Sequence, residues 1–193
     1  MIDTILTPVD QEILLEIARR SITLAARGVS LPPLALDGLP PHLTMPGASF
    51  VTLTTRGELR GCVGALEPYQ TLAEDVWEHA EAAAVRDYRF PPIRECELPE
   101  IEIEISFLTQ PEPLEYNSPQ ELLARLRPGV DGVILRDGMH RATFLPQVWE
   151  KLPRPDMFLD HLCLKMGAHE DLWRRKHLQV FIYQVECFEE KHR

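Results

Sequence analysis

The order of the predicted elements most narrowly limits how this chain folds, because helix, hairpin, helix and strand follow one another twice. In the first half, a helix begins near Thr7, a hairpin spans residues 49–66, a helix follows Thr71, and EIEIEISFL is a strand. In the second half, a helix begins at Ser118, GVILRDGMHRATFL is a hairpin, a helix spans residues 156–166, and LQVFIYQVECF is a final strand. Hairpins join most of the strand pairs, which disfavours a parallel doubly wound sheet. We predict an α+β fold of two related helix–hairpin–helix–strand halves with mainly antiparallel sheet.

The strand EIEIEISFL has the most regular pattern in the chain, because apolar and polar residues alternate along it. Alternation places one set of side chains in the core and the other on the opposite face of the sheet. The apolar set is Ile101, Ile103, Ile105 and Phe107, and the polar set is Glu102, Glu104 and Ser106. A solvated face explains the two glutamates more economically than a pair of catalytic carboxylates, although that alternative stays open.

The predicted helix starts rest on capping residues. Thr7 with Pro8 and Asp10 is typical of a first helical turn, and Thr71 with Glu74 predicts a capping box. Ser118 and Glu121 predict another capping box. The proline-rich residues 29–48 cannot form regular structure, and we expect their leucines to pack on the surface as an ordered strap.

We predict a single domain over residues 1–193, with lobes at about 1–110 and 111–193 that share one core and join near TQPEPLEYN. In the second hairpin, Asp137-Gly138 is the strongest turn signal. After the second helix of the first half, which we expect to reach about Asp87, DYRFPPI ends the helix because its prolines disfavour helical geometry before them.

Composition excludes several function classes. A net charge of −10 argues against binding to nucleic acid or an acidic membrane surface, since phosphates require clustered Lys and Arg. The sequence has no apolar run long enough to span a membrane, and its N-terminus lacks signal-peptide features. The four widely spaced cysteines predict reduced thiols in a cytoplasmic protein, with no disulfide framework and no metal site. The dinucleotide, Walker, zinc-protease and serine-hydrolase signatures are missing, and we expect no cofactor.

The hexad LRGCVG, residues 59–64, is the strongest candidate for chemistry. On a regular strand Arg60 and Cys62 project from one face, opposite Leu59, and a guanidinium beside a thiol favours the nucleophilic thiolate. Gly61 and Gly64 carry no side chain, which lets a ligand or another backbone come close to the sulfur. The structural alternative is a buried cysteine in a tightly packed strand, and local sequence alone favours it.

The second hairpin carries further candidates. Arg141 and Thr143 alternate onto one face of a strand, where they are suited to bind a carboxylate or phosphate. His140 is a candidate acid or base, but a surface histidine beside a turn is the commoner explanation.

Several motifs together resemble one family. ELRGCVGALEP, DYRFPPI, IEIEISFLTQPEPL, GVILRDGMHRATFLPQVWEKLP and FLDHLCLKMGA occur in the order and spacing of the AMMECR domain family, which in prokaryotes includes the AmmeMemoRadiSam system protein A. The resemblance covers about residues 10–188, with Val63 where isoleucine is usual. It implies an α+β fold of two unequal lobes around a cleft. It also implies genetic association with a Memo-like protein and a radical SAM enzyme.

The resemblance carries site residues as well, but it names no reaction. The hexad is the hallmark of the family, Arg89 lies in a second motif, and Arg141 and Thr143 lie in a third. Our leading hypothesis is an enzyme or enzyme component that binds a small anionic molecule in the cleft. Cys62 is then the reactive group, with Arg60, Gly61, Gly64, Arg89, Arg141 and Thr143 as ligand-binding residues. The alternative is a non-catalytic adaptor that docks the Memo-like or radical SAM partner.

Overall fold

The computed structural model describes residues 6–190, which form two compact units. The first unit comprises residues 6–108 and 186–190, and the second comprises residues 109–185. Each unit has its own four-stranded sheet and its own apolar core. The predicted α+β class with antiparallel strands is confirmed. Of the N-terminal stretch assessed for signal-peptide features, residues 1–5 lie outside the described residues.

The helices and strands follow in one chain order. The helices are α1 (Pro8–Ala26), α2 (Leu72–Val85), α3 (Pro119–Arg125), α4 (Pro155–Lys165) and α5 (Leu172–Arg175). The strands are β1 (Ala48–Thr55), β2 (Glu58–Gly64), β3 (Ile101–Leu108), β4 (Glu112–Pro113), β5 (Gly132–Asp137), β6 (His140–Phe144), β7 (Gln179–Tyr183) and β8 (Val185–Glu189). Between residues 6 and 190, none of these helices has both the length and the apolar character needed to cross a bilayer.

The two units repeat one topology. In the first, β1 pairs with β2 as a hairpin and with β3 on its other side, in the order β2-β1-β3-β8. In the second, β5 pairs with β6 as a hairpin and with β7 on its other side, in the order β4-β7-β5-β6. The predicted relation between the two halves is therefore confirmed, and each sheet carries one additional edge strand.

The capping residues explain where the helices begin. The Thr7 hydroxyl accepts from the Asp10 N–H at 3.2 Å, while the Asp10 carboxylate accepts from the Thr7 N–H at 2.9 Å. The predicted box at the start of α2 is also present. One half of the capping box predicted for α3 is present, because the Ser118 side chain accepts from the Glu121 N–H. The other half is wrong, because the Glu121 carboxylate accepts from the N–H of Asn117, one residue before Ser118, at 2.8 Å.

The core of the first unit lies between its sheet and its helices. The apolar set of β3 is buried and the two glutamates between are partly exposed, as predicted, but Ser106 of the polar set is buried as well, so the alternation of exposure ends at Ile105. Helix α2 packs on β1 and β2, and α1 packs on α2 and β3. The strap over residues 29–47 has only one short 3₁₀ turn, Pro41–Thr44, and packs on this core through Leu31, Leu34, Leu36 and Leu39.

Two predictions for the second unit are wrong in detail. The hairpin turn is Gly138-Met139 and not Asp137-Gly138, because Asp137 pairs with His140 and Gly138 takes a φ of +61°. The final strand is not continuous. Both backbone groups of Gln184 bond to Thr109 at 2.9 Å, which divides the segment into β7 in one sheet and β8 in the other.

Candidate functional site

The hexad lies on β2, an edge strand of the first sheet, and a β-bulge interrupts its pairing with β1. Gly61 pairs with Leu53 and Leu59 pairs with Thr54, so Arg60 has no partner in the register. The prediction that Arg60 and Cys62 share a face assumed that side chains alternate without interruption along β2. The bulge at Arg60 interrupts that alternation. The same bulge leaves Leu59 44% exposed, where the alternation placed it in the core.

The two glycines of the hexad are filled by the protein itself. A Cβ built on Gly61 would lie 2.1 Å from the carbonyl oxygen of Ala83, so only glycine lets α2 pack this closely on β2. A Cβ built on Gly64 would lie 2.4 Å from the Phe50 ring and 2.4 Å from the Ser49 carbonyl oxygen. The sequence left open whether a ligand or another part of the chain approaches these glycines. In the structure the chain's own atoms approach them.

The segment that follows α2 closes the free edge of β2 at Cys62. The Asp87 carboxylate accepts from the Cys62 N–H at 2.9 Å, and the Arg89 guanidinium donates to the Cys62 carbonyl at 3.2 Å. Arg89 also donates to both oxygens of Asp87, at 2.9 and 2.7 Å. The pair therefore satisfies both backbone groups of a residue that an edge strand leaves unpaired.

The charges of this pair stabilise one another. The hydrogen bond from Arg89 is the largest cause that holds the pKa of Asp87 well below its usual range, although burial opposes it. The Cys62 N–H acts in the same direction. The pKa of Arg89 is raised in turn, chiefly by its hydrogen bond to Asp87. Asp87 is thus a carboxylate at physiological pH.

Arg60 makes a second connection between the strand and the same segment. Its guanidinium donates to the Pro91 carbonyl at 2.9 Å and to the Glu97 carboxylate at 2.8 Å. Burial would raise the pKa of Glu97, but the hydrogen bonds from Arg60 and from the Arg94 N–H outweigh it, so the pKa is lowered. An arginine from each side thus donates to a backbone carbonyl of the other.

The Cys62 thiol lies on the sheet face opposite the helices. In register, Cys62 pairs with Thr52, and Thr52 pairs with Glu104. The Thr52 hydroxyl donates to the Cys62 sulfur at 3.4 Å, and the cysteine is half-buried. Over residues 6–190, no three His, Cys, Asp or Glu side chains converge as a metal site requires.

Tyr88 has the most exposed side chain of the first unit among its large apolar and aromatic residues, at 96%. Its neighbours Asp87 and Arg89 are both hydrogen-bonded to β2 through their side chains, so Tyr88 lies between two anchored residues. Neither Asp87 nor Tyr88 was predicted from the sequence as a site residue. The local signal available was the acid–aromatic–base order in DYRFPP.

The predicted site residues divide between the units. Arg60, Gly61, Cys62, Gly64 and Arg89 belong to the first unit, where the contacts above connect them. Arg141 and Thr143 lie on β6 in the second unit, in the predicted alternation on either side of buried Ala142. The Thr143 hydroxyl lies 3.0 Å from the Tyr183 hydroxyl. His140 is exposed beside the turn.

Comparison with known proteins identifies relatives along nearly the whole chain. The AMMECR1 family model matches residues 15–188. A protein of Thermofilum pendens is 38% identical over 92% of this chain and 88% of its own. A protein of Methanothermobacter thermautotrophicus is 38% identical over 92% of each chain. The crystal structure of protein PH0010 from Pyrococcus horikoshii superimposes with a TM-score of 0.72 at 33% identity, covering 94% of this chain and 92% of that one.

Proposed function

Because this chain belongs to the AMMECR1 family, we propose that it acts as an adaptor that docks a protein partner on the surface around Tyr88. The resemblance supplies the partner classes, a Memo-like protein and a radical SAM enzyme. This proposal takes the adaptor alternative of the sequence analysis in preference to the hypothesis of a small anionic ligand.

The exposure of Tyr88 between two anchored neighbours carries the proposal. Tyrosine is among the residues that contribute most to the binding energy of protein interfaces. Because the side chains on either side of Tyr88 are hydrogen-bonded to β2, presenting the ring to a partner orders little additional chain. Leu59 in β2 and Leu66 just after it, 44% and 37% exposed, add apolar side chains at either end of the same edge strand.

The ion pairs of Arg60 and Arg89 favour an adaptor over an anion-binding site. Arg60 donates to Glu97 and Arg89 donates to Asp87, so both guanidinium groups already have a carboxylate partner inside the unit. An incoming anion would have to displace one of these carboxylates and leave it without its cation. The glycines offer no space either, because the chain's own atoms fill it.

One observation keeps thiol chemistry as a second candidate. The Cys62 sulfur is half-buried and accepts a hydrogen bond from Thr52, an arrangement that suits a nucleophile as well as a packed side chain. If the protein is an adaptor, replacing Tyr88 removes function. If thiol chemistry is its function, replacing Cys62 removes it.

Direct binding tests the adaptor proposal. The full chain is titrated calorimetrically with the purified Memo-like protein and radical SAM enzyme encoded by the same genome. We expect at least one to bind, and Tyr88→Ala to raise its Kd about tenfold or more. The variant should unfold with a free energy within about 0.5 kcal/mol of the parent, because the lost side chain is exposed.

The matched control is Met139→Ala, which removes a 99% exposed side chain from the turn between β5 and β6 in the second unit. It should leave the Kd unchanged. If neither protein binds, or if the Tyr88 variant binds as well as the Met139 variant, the adaptor proposal is wrong. Cys62→Ser should also bind normally, whereas loss of in-cell function in that variant alone supports thiol chemistry.

A further inference from the structure

We infer that the partner segment docking at Tyr88 is basic, and that it places a Lys or Arg side chain against Glu78 and Tyr69, which lie on and beside α2, the helix that Tyr88 follows. We call these three residues the α2 surface, because Tyr69 and Glu78 lie beside and on α2 and Tyr88 follows its end. The inference rests on the proposed docking function and specifies the chemistry of the partner.

The two units carry very different charge. Residues 6–108 and 186–190 contain 19 Asp and Glu against eight Arg and no Lys, a formal charge of −11. Residues 109–185 contain ten acidic and ten basic side chains and are formally neutral. The acidity of the described chain therefore belongs to the unit that carries the hexad. A field of one sign attracts partners of the opposite sign and raises their rate of association.

The eight arginines of the first unit are already counted in this charge, and most of them have a partner within the unit. Six of its eight arginines form ion pairs within the unit, and Arg20 lies over the Trp77 ring. The paired arginines are Arg19, Arg27, Arg56, Arg60, Arg86 and Arg89. The 19 acidic side chains thus exceed the eight arginines, and the net negative charge attracts cationic side chains from outside the unit.

Glu78 is suited to receive such a cation, because Arg86, whose charge also acts on Tyr69, is paired with Glu81. It is exposed on α2 and accepts from the Tyr69 hydroxyl at 3.1 Å and from the Gln70 amide at 3.0 Å, which are both neutral donors. Tyr69 is 61% exposed, with its ring edge-on to His79. From Glu78 to the end of α2 at Val85 is about 10 Å along the helix axis.

An aromatic ring beside a carboxylate selects a cation with an aliphatic stem. A Lys or Arg side chain packs its methylene groups on a tyrosine ring while its charged end reaches the carboxylate. Phosphate-bearing partners are repelled by the same field. The α2 surface therefore fits a protein segment with Lys or Arg close to its apolar contact with Tyr88.

Site-specific crosslinking followed by binding measurements tests the inference. The photoreactive amino acid p-benzoylphenylalanine replaces Tyr88 in the full chain, expressed in the organism that encodes it, and the crosslinked peptide is sequenced by mass spectrometry. Met139 receives the same replacement as the control. We expect a crosslink specific to position 88, to a segment with excess Lys and Arg. With the purified partner, the Kd should rise about tenfold or more between about 50 mM and about 500 mM NaCl.

A charge variant provides the second measurement. Glu78→Lys should weaken binding at least about fivefold, and Glu170→Lys, an exposed glutamate of the neutral unit, should change it less than about twofold. A crosslinked segment that is neutral or acidic, a Kd independent of salt, or equal effects of the two variants overturns the basic-partner inference and leaves the docking function standing. A crosslink to a second copy of this chain also overturns the inference. No crosslink above the Met139 control overturns the docking function itself.

Discussion

The Asp87 carboxylate accepts a hydrogen bond at 2.9 Å from the backbone N–H of Cys62, a residue 25 positions earlier in the chain. This contact joins the edge strand of the first sheet to the segment after α2. Because Arg89 bonds to both residues, the strand, the acid and the base form one closed set of hydrogen bonds. The set both covers a sheet edge and anchors the side chains on either side of Tyr88.

We predict that Asp87→Asn lowers the free energy of unfolding by about 2 kcal/mol. The amide retains the shape but not the charge, so it loses the charge-assisted bonds from Arg89 and weakens the bond from the Cys62 N–H. Urea unfolding followed by circular dichroism measures the change. The control is Glu100→Gln, which breaks the exposed pair with Arg56 and should change stability by at most about 0.5 kcal/mol. Equal effects of the two substitutions would contradict a special role for Asp87.

The pH dependence of stability should report the same carboxylate. The pKa of Asp87 is lowered in the folded protein, so its stabilising effect is complete above the unfolded pKa of about 3.9 and is lost as the pH falls toward the folded value. The difference in unfolding free energy between the parent and Asp87→Asn should stay constant from about pH 7 to about pH 5 and narrow below about pH 4. A difference that changes between pH 6 and 8 would assign the effect to another group.

Local sequence signals predicted most of the fold. The capping residues of α1 and α2 and the alternation along β3 from Ile101 to Ile105 depend on neighbours within a few positions, and the structure confirms them. The bulge at Arg60 was not predictable by the same means. A bulge is defined by two residues facing one on the partner strand, so a single strand's sequence does not reveal it.

The site was predicted only in part, because its contacts are distant in sequence. The hexad was recognised as the candidate, but the partners of Cys62 and Arg60 lie 25 to 37 residues further on, and no local periodicity connects them. Gly61 was ambiguous for the same reason. Its neighbour, the Ala83 carbonyl, belongs to a helix whose distance from the strand only the folded structure gives.

Gly61→Ala should be one of the most damaging single-methyl additions in the first unit. The new Cβ would lie 2.1 Å from the Ala83 carbonyl oxygen, and a backbone atom can move away only if α2 shifts from β2. We expect a loss of about 3 kcal/mol in unfolding free energy, at the upper end for overpacking. Thermal or urea unfolding measures it.

The control for this substitution is Gly28→Ala after α1. Gly28 has a φ of +70° and no atom within 4 Å of an added Cβ, so alanine there meets backbone strain of about 1 kcal/mol but no collision. If Gly61→Ala is no worse than Gly28→Ala, the close approach of α2 to β2 is not what requires glycine at position 61.

The labelling order of the four cysteines should separate a packed thiol from a reactive one. Cys96 and Cys187 are exposed, Cys62 is half-buried and hydrogen-bonded by Thr52, and Cys163 is fully buried, where desolvation raises its pKa. If Cys62 serves the structure, iodoacetamide should label Cys96 and Cys187 first, Cys62 several-fold more slowly and Cys163 only on unfolding. Peptide mass spectrometry after timed quenching gives the four rates in one sample, with Cys96 as the internal reference.

Should Cys62 react faster than Cys96 despite its burial, its surroundings favour the thiolate. In that case the thiol-chemistry candidate replaces the adaptor as the better account of the hexad.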